Sequence, residues 1–147
     1  CIRDRAIKRG LAEGVIDCLA SDHAPHLDVE KDREYNSAPF GIIGLETMLP
    51  LVVTHLVHRK ILSLPEAVRK LSCNPARILR LKNKGSLAVG ADADVTVIDL
   101  EEEKVIETRF ESLSKNSPFI GWKLKGFAYA TVVGGRVVME RGKLVSG

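Results

Sequence analysis

The stretch VIDCLASDHAPH, Val15–His26, joins a short apolar run to a compact polar cluster. The apolar run Val15–Ala20 ends at turn-forming residues, a pattern that predicts a buried β-strand. Asp22, His23 and His26 follow directly, at the carboxyl end of that predicted strand. Because loops at this end of a parallel α/β barrel converge on one cavity, the sequence predicts a functional site at these three side chains.

Residue type alone does not separate the roles of these side chains. Asp22 can serve as a metal ligand, as a general base or as a carboxylate that orients a neighbour. A loop-fixing role is a further alternative, since aspartate is favoured in turns. His23 and His26 belong to a His-Ala-Pro-His turn, in which a histidine can also be simply exposed.

The composition indicates a globular chain, with 147 residues, 45% hydrophobic, and a formal net charge of +3. This length suits one domain or two small parts of a larger protein, and a first residue that is not methionine leads us to expect a chain cut from a longer one. The sequence lacks the patterns of a membrane helix and of a signal peptide. Basic and acidic residues alternate, which argues against nucleic-acid binding. Three widely spaced cysteines suit reduced thiols, so we expect a cytoplasmic protein.

The first part of the chain is predicted to be mainly helical. A helix that leads directly into a buried strand is typical of a parallel sheet, so the expected fold class is α/β. Ser63 begins a Ser-x-x-Glu capping box, and Asn74 followed by proline predicts a new helix that Asn74 caps. The predicted helices are Arg3–Gly14, Leu45–Arg59, Ser63–Ser72 and Asn74–Leu81, with a charged loop at Leu27–Ala38 and a Gly- and Pro-rich turn at Ala38–Gly44.

The pattern changes near Lys82, where a turn-rich linker begins and the apolar period becomes two. Gly134-Gly135 between two alternating runs is a strong signal for a two-residue β-hairpin, and Glu101–Glu103 is expected to be a solvated hairpin tip. We therefore predict two units, residues 1–82 and residues 83–147. The second is a small β unit with strands at Ala93–Leu100, Lys104–Thr108, Ala128–Val133 and Arg136–Glu140.

Five groups of residues, in chain order, resemble motifs of the dihydroorotases, cyclic amidohydrolases of pyrimidine biosynthesis, and among them the bacterial type I form. SDHAPH at Ser21–His26 and APFGIIGLET at Ala38–Thr47 are specific to dihydroorotases, whereas NPA at residues 74–76 and ADAD at residues 91–94 mark the wider amidohydrolase superfamily. The resemblance extends through SPFIG at residues 117–121 and covers essentially the whole chain.

What this resemblance implies for the fold is the C-terminal portion of a metal-dependent amidohydrolase TIM barrel. Residues 1–82 would supply the last helix–strand unit and the closing helices. Residues 83–147 would be the C-terminal share of a small β-sandwich domain.

The resemblance also implies a chemistry, the reversible, zinc-dependent conversion of N-carbamoyl-L-aspartate to L-dihydroorotate. By its position in the motif, Asp22 matches the catalytic aspartate that meets the metal and shuttles the proton. His26 matches the histidine that binds the substrate carboxylate, and Phe40 and Gly41 match a backbone pair that contacts the substrate. Zinc lowers the pKa of bound water to about 7, so a nearby carboxylate can relay the proton. His23 matches no functional position and is expected to be structural.

The remaining metal ligands of the family have no counterpart in this sequence. A His-x-His pair, a bridging acidic ligand and two later histidines would lie upstream of Cys1. A catalytic zinc normally takes three protein ligands, so we expect this chain alone to hold no catalytic zinc and to be inactive without the missing N-terminal portion. A lone barrel strand would also leave its backbone groups unpaired, which requires another chain, self-association or a remodelled segment.

Two alternatives to a dihydroorotase stay open at this point. One is a hydantoinase- or allantoinase-type cyclic amidohydrolase with a different substrate. The other is a non-catalytic, dihydroorotase-like scaffold subunit for a partner such as aspartate transcarbamoylase. Retention of Asp22 and His26 argues against a pure scaffold, which has no chemical need of them, and the sequence upstream of Cys1 would decide.

Overall fold

The computed structural model describes residues 1–145, with helices in the first half and strands in the second. The helices are α1 (Ile2–Ala12), α2 (Asp28–Lys31), α3 (Leu45–Val52), α4 (Leu64–Val68) and α5 (Asn74–Ile78). The strands are β1 (Val95–Val105), β2 (Lys123–Val133), β3 (Arg136–Glu140) and β4 (Lys143–Leu144). Residues 79–94 form the irregular connection between the two halves. The boundary predicted near Lys82 lies in this connection, and the division into two domains stays a prediction.

The helical half is organised around an apolar core to which α1, α3 and α4 contribute. Leu11, Val52, Leu56, Leu62 and Ala67 pack together and are each less than a tenth exposed. Burial of apolar side chains from several helices is the main stabilising term for such a small unit. This core fixes where the loops between the helices begin and end.

The capping box predicted at Ser63 is confirmed. The Glu66 carboxylate accepts a hydrogen bond from the Ser63 N–H at 2.7 Å, and the Ser63 hydroxyl accepts one from the Glu66 N–H at 3.4 Å. These contacts satisfy two backbone donors that the first turn of a helix leaves free. The Ser63 hydroxyl also donates to the Glu66 carboxylate at 2.6 Å, and this bond, together with the one from the Ser63 N–H, holds the pKa of Glu66 below its usual value.

Two of the helices continue through π-helical turns. The predicted helix Leu45–Arg59 is α3 followed by a π turn at Val53–Val57. α4 continues through a π turn at Arg69–Cys73 directly into α5. The prediction that Asn74 caps a new helix is therefore wrong, because a continuous helix leaves no free N–H group for Asn74 to cap. Its side-chain amide instead donates to the Asp17 carbonyl at 2.8 Å.

The strand predicted at Val15–Ala20 is not formed. Within residues 1–145, no other strand lies beside this segment to complete a ladder of hydrogen bonds. The helices supply partners instead: Lys70 offers its carbonyl to the Leu19 N–H at 3.0 Å, and its ammonium group donates to the Ile16 carbonyl. The apolar pattern indicates a partly buried segment whose backbone groups need hydrogen-bond partners. A strand forms only where a neighbouring strand supplies those partners, and here helical residues supply them.

The β unit is a four-stranded antiparallel sheet in the order β1-β2-β3-β4. The Gly134-Gly135 hairpin is confirmed, since Val133 pairs with Arg136 across that turn. The prediction of a hairpin tip at Glu101–Glu103 is wrong, because these residues lie inside β1, which continues from the first predicted strand into the start of the second and ends at Val105. A register shift between Asp99 and Glu103 accommodates the acidic run against β2, where the Glu101 carboxylate pairs with the Lys125 ammonium at 3.0 Å.

The sheet packs on the end of α3 and the π turn that follows. Thr54 and Lys125 exchange two hydrogen bonds, with the Lys125 N–H donating to the Thr54 hydroxyl at 2.7 Å and the hydroxyl donating to the Lys125 carbonyl at 3.1 Å. Gly126 has a φ of +87°, and a Cβ atom there would lie 2.3 Å from a methyl group of Val53. Only glycine permits both this backbone conformation and this approach.

In the part of the chain that the structure describes, no helix is long and apolar enough to cross a membrane.

Candidate active site

Two separated segments meet where the sequence predicts a site. His23 and Ile42 form an isolated parallel β-bridge, and the Ala24 N–H donates to the Ile42 carbonyl at 2.9 Å. We name residues 22–26 the aspartate segment and residues 39–44 the glycine segment. The bridge brings His26 together with Phe40 and Gly41, which the sequence nominated for the same site.

His26 contacts the glycine segment directly. Its Nε2 atom lies 2.8 Å from the Phe40 carbonyl, and since a carbonyl only accepts, this nitrogen carries the proton. Its Nδ1 atom lies 3.7 Å from the Glu30 carboxylate. The ring is three-quarters buried, with a side-chain exposure of 25%. His26 is thus held between α2 and the glycine segment with both ring nitrogens near polar groups.

Gly41 occupies a position that no other residue fits without strain. Its φ is +120°, and an added Cβ would lie 2.6 Å from the Ala24 Cβ and 3.2 Å from His26 Nε2. Because the peptide is planar and trans, a Phe40 carbonyl that faces His26 turns the Gly41 N–H to the opposite side. Within residues 1–145, no acceptor for that N–H is found. The neighbouring Phe40 side chain is 93% exposed.

Asp22 and His23 differ sharply in their surroundings. Asp22 is exposed and has a φ of +45°, in the left-handed region that aspartate tolerates better than most residues. His23 Nδ1 accepts hydrogen bonds from the Gly44 and Leu45 N–H groups at 3.1 and 3.4 Å. These are free donors at the start of α3, which supports the expectation that His23 is structural. The Asp22 carboxylate is left available to a reactant.

Two residues of the site were missed by the sequence interpretation. Asn116 donates from its side-chain amide to the Ala24 and Gly41 carbonyls, at 3.1 and 3.2 Å. Lys31 donates to the Pro39 and Gly41 carbonyls, at 2.9 and 3.2 Å. The motif that follows Asn116 was a signal that pointed to its neighbourhood, whereas Lys31 sits in a charged loop whose pattern gives no such signal.

The two histidines outside the site pack against the β unit. His58 Nε2 lies 2.9 Å from the Leu100 carbonyl, and the His55 ring lies 5.9 Å from the Trp122 ring in an edge-on arrangement. Burial lowers the pKa of His55, and the cations Arg59 and Lys8 lower it further. His55 therefore serves to pack the helical half against Trp122.

The described residues do not by themselves fit a zinc ion. Residues 1–145 contain no group of three or more histidine, cysteine, aspartate or glutamate side chains placed to hold a metal. Within the aspartate and glycine segments, Asp22 is the one carboxylate, the nearby Glu30 carboxylate lies 3.7 Å from His26 Nδ1, and His23 Nδ1 and His26 Nε2 are engaged with backbone groups. A catalytic zinc needs about three protein ligands, so a metal here requires ligands from outside the described residues.

The sequence and the fold match known proteins along nearly the whole chain. Residues 4–138 match the model of the amidohydrolase family. A dihydroorotase of Endomicrobium trichonymphae is 51% identical over 136 residues, and one of Geobacter sp. (strain M21) is 55% identical over 138 residues. These matches cover 92% and 93% of this chain and 32% of each relative. The chain thus spans about a third of the length of the curated relatives it matches.

Solved structures show the same fold. L-hydantoinase (dihydropyrimidinase) from Arthrobacter aurescens has a TM-score of 0.89 and 36% identity, over 95% of this chain and 32% of that chain. D-hydantoinase (dihydropyrimidinase) from Thermus sp. has a TM-score of 0.87 and 27% identity, over 97% of this chain and 32% of that chain. The predicted fold class, α/β and part of an amidohydrolase barrel, is confirmed. With the family model matched over residues 4–138, this chain belongs to the amidohydrolase family.

Proposed function

We propose that the protein to which this chain belongs is a dihydroorotase. It would interconvert N-carbamoyl-L-aspartate and L-dihydroorotate in de novo pyrimidine biosynthesis, a hydrolysis of a cyclic amide in one direction and its closure in the other. Identities of 51% and 55% to proteins named dihydroorotase support this over the aligned third of their length.

The observation that carries the proposal is the contact between the aspartate segment and the glycine segment. His26 Nε2 lies 2.8 Å from the Phe40 carbonyl, and a Cβ on Gly41 would collide with Ala24. Both segments belong to the motifs specific to dihydroorotases. Their pairing supports a shared role in one substrate site.

Each candidate residue has a role that its surroundings suit. Asp22, an exposed carboxylate on a backbone of unusual conformation, would accept and return the proton that moves during ring opening and closure. His26 would bind the substrate carboxylate through a ring N–H, which at Nε2 would replace the Phe40 carbonyl as acceptor. The Phe40–Gly41 backbone would contact the substrate, with the Gly41 N–H, turned away from His26, donating to a substrate oxygen.

The proposed metal is zinc, and its ligands must come mainly from parts of the protein outside this chain. Zinc held there would supply the chemistry of an activated water and a polarised amide carbonyl. Asp22 is the ligand that this chain would contribute. The proposed division follows from this view, with residues 1–82 belonging to the catalytic barrel and residues 83–147 to the small β domain.

A substrate panel on the intact protein tests the proposal. We expect the highest kcat/KM for L-dihydroorotate among L-dihydroorotate, dihydrouracil, hydantoin and allantoin, and we expect a chelator to abolish turnover until zinc is restored. A preference for hydantoin or dihydrouracil would contradict the proposal and favour a hydantoinase, the second candidate that the structural match at 36% identity supports.

Absence of turnover on every cyclic amide would favour the scaffold alternative, with aspartate transcarbamoylase as the partner to test by co-purification. A cytoplasmic location is part of the same proposal. The three cysteines, Cys1, Cys18 and Cys73, are free thiols, which suits a reducing compartment.

A further inference from the structure

Asn116 connects three stretches of chain at the candidate site. It lies in the irregular segment between β1 and β2, and 92 residues separate it from Ala24. Its side-chain Nδ2 donates to the Ala24 carbonyl at 3.1 Å and to the Gly41 carbonyl at 3.2 Å. Its backbone carbonyl accepts from the Ile43 N–H at 3.2 Å. One residue of the second half of the chain thus holds both site segments.

We propose that Asn116 is a positioning residue that sets the spacing between His26 and the Phe40–Gly41 backbone and thereby determines substrate affinity. This inference rests on the proposed function, in which those groups bind the substrate. Asn116 acts through the backbone, because its contacts are carbonyls of Ala24 and Gly41 and not the groups assigned to the substrate.

The chemistry of the contact explains why an amide is suited to this position. One Nδ2 atom carries two N–H groups, so it can serve two carbonyls at once without adding a charge. The Gly41 carbonyl also accepts from the Lys31 ammonium at 3.2 Å, so donors reach it from two directions. With both lone pairs of that oxygen used, the orientation of the Gly41–Ile42 peptide is held, and with it the position of Gly41 beside Ala24.

The other atom of the amide makes the position intolerant of a carboxylate. Asn116 Oδ1 is fully buried and has no hydrogen-bond partner within residues 1–145. In Asn116→Asp, a carboxylate oxygen would replace Nδ2 opposite two carbonyl oxygens, so two hydrogen bonds become two repulsive contacts. The substitution changes almost no volume, so its effect comes from the lost donor and the added charge, whereas Asn116→Ala removes the donor without adding a charge.

The position of the contact predicts which kinetic constant changes. Ala24 lies between Asp22 and His26, and Gly41 follows Phe40, so loss of the Asn116 amide separates the groups assigned to substrate binding. Asp22 is not a partner of Asn116 and keeps its carboxylate. Substrate affinity should therefore suffer more than the chemical step.

The experiment compares wild type, Asn116→Asp and Asn116→Ala in the intact protein, with Asn83→Asp as the matched control on an exposed linker residue. Steady-state kinetics use L-dihydroorotate, or whichever cyclic amide the wild type prefers. Amide hydrogen exchange at Ala24 and Ile43 reports the pairing without any need for activity, since their N–H groups bond to Ile42 and Asn116.

We expect both Asn116 variants to raise KM about tenfold or more, as the loss of a buried hydrogen bond implies, with kcat within about threefold of wild type. Exchange at Ala24 and Ile43 should become faster, and Asn83→Asp should match wild type. Unchanged KM in both Asn116 variants overturns the inference, and so does an equal loss of kcat at constant KM. A wild type that hydrolyses no cyclic amide refutes the proposed function; unchanged exchange in the variants then overturns the positioning role separately.

Discussion

The candidate site and the β-sheet are held together by different kinds of interaction. In the sheet, β1, β2 and β3 pair through backbone ladders, and a two-residue turn joins β2 to β3. At the site, the aspartate and glycine segments share one isolated bridge, and side chains of Lys31 and Asn116 hold them from outside. The sheet therefore distributes its stability over many similar contacts, whereas the site depends on a few specific ones.

This difference predicts where single substitutions act. A ladder of backbone hydrogen bonds does not depend on most side chains, so the sheet is sensitive mainly where it packs on α3. The site should be sensitive to substitution of the glycine, the amide and the lysine that hold its segments together. Such substitutions should reduce catalysis more than they reduce the free energy of global unfolding. The following variants of the intact protein test that contrast, from the largest expected effect on stability to the smallest.

Gly126→Ala should cause the largest loss of stability, because it disrupts the packing of the sheet on the π turn that follows α3. The added Cβ would lie 2.3 Å from a Val53 methyl group on a backbone with φ +87°. We expect the free energy of unfolding to fall by about 3 kcal/mol or more, measured by urea denaturation. Gly121→Ala is the matched control, since Gly121 has φ +83° with nothing within 4 Å, and it should cost only about 1 kcal/mol. Equal losses would show that the approach to Val53 is unimportant.

Gly41→Ala should impair substrate binding at the site more than it impairs the stability of the fold. Its Cβ would meet the Ala24 Cβ at 2.6 Å, which pushes the two site segments apart. We expect a loss of about 2 kcal/mol in unfolding free energy, together with a rise in KM. Gly90→Ala, at φ +90° with open space around it, controls for the conformation alone and should leave KM unchanged. A wild-type KM in Gly41→Ala would contradict the view that the site, unlike the sheet, depends on a few specific contacts.

Lys70→Met should weaken the attachment of the irregular segment Val15–Ala20. The buried Lys70 ammonium donates to the Ile16 carbonyl, and methionine fills similar space without a donor. We expect the free energy of unfolding to fall by about 1 to 2 kcal/mol, because the Ile16 carbonyl loses its donor. Arg69→Met on the exposed side of the same turn should stay within about 0.5 kcal/mol of wild type. Equal stability of the two variants would contradict the role assigned to Lys70.

Ser63→Ala should have the smallest effect on the free energy of unfolding, and the contribution of its capping partner Glu66 should depend on pH. Removing the cap should cost about 1 kcal/mol near neutral pH. The pKa of Glu66 is lowered in the folded protein, so its contribution is present above the unfolded value of 4.5 and is lost as the pH falls through the folded pKa. The difference between wild type and Glu66→Gln in thermal unfolding should therefore shrink in acid. A difference that grows in acid would contradict the capping box.

The sequence predicted best the features that depend on neighbouring residues. The Ser63 capping box and the Gly134-Gly135 turn each lie within a few residues of the groups they bond, so local pattern sufficed. The nomination of His26, Phe40 and Gly41 for one site came from the resemblance in their motifs, and the structure brings the three together.

Features that depend on distant partners were predicted wrongly or missed. The strand at Val15–Ala20 failed because a strand requires neighbours that residues 1–145 do not supply, and Asn74 bonds to Asp17 instead of capping a helix. Asn116 acts across 75 residues on Gly41, and no spacing in the sequence marks such a contact. Local pattern cannot show which far segment will need a donor.

The most direct test of the candidate site is the kcat of Asp22→Asn for L-dihydroorotate in the intact protein. Asparagine keeps the size of the side chain and removes the carboxylate that would carry the proton. Asp4→Asn, at an exposed aspartate on α1, is the control and should behave as wild type. We predict that kcat falls about 1000-fold in Asp22→Asn while KM stays within about threefold. An Asp22→Asn enzyme that keeps more than about a third of the wild-type kcat would contradict the assignment.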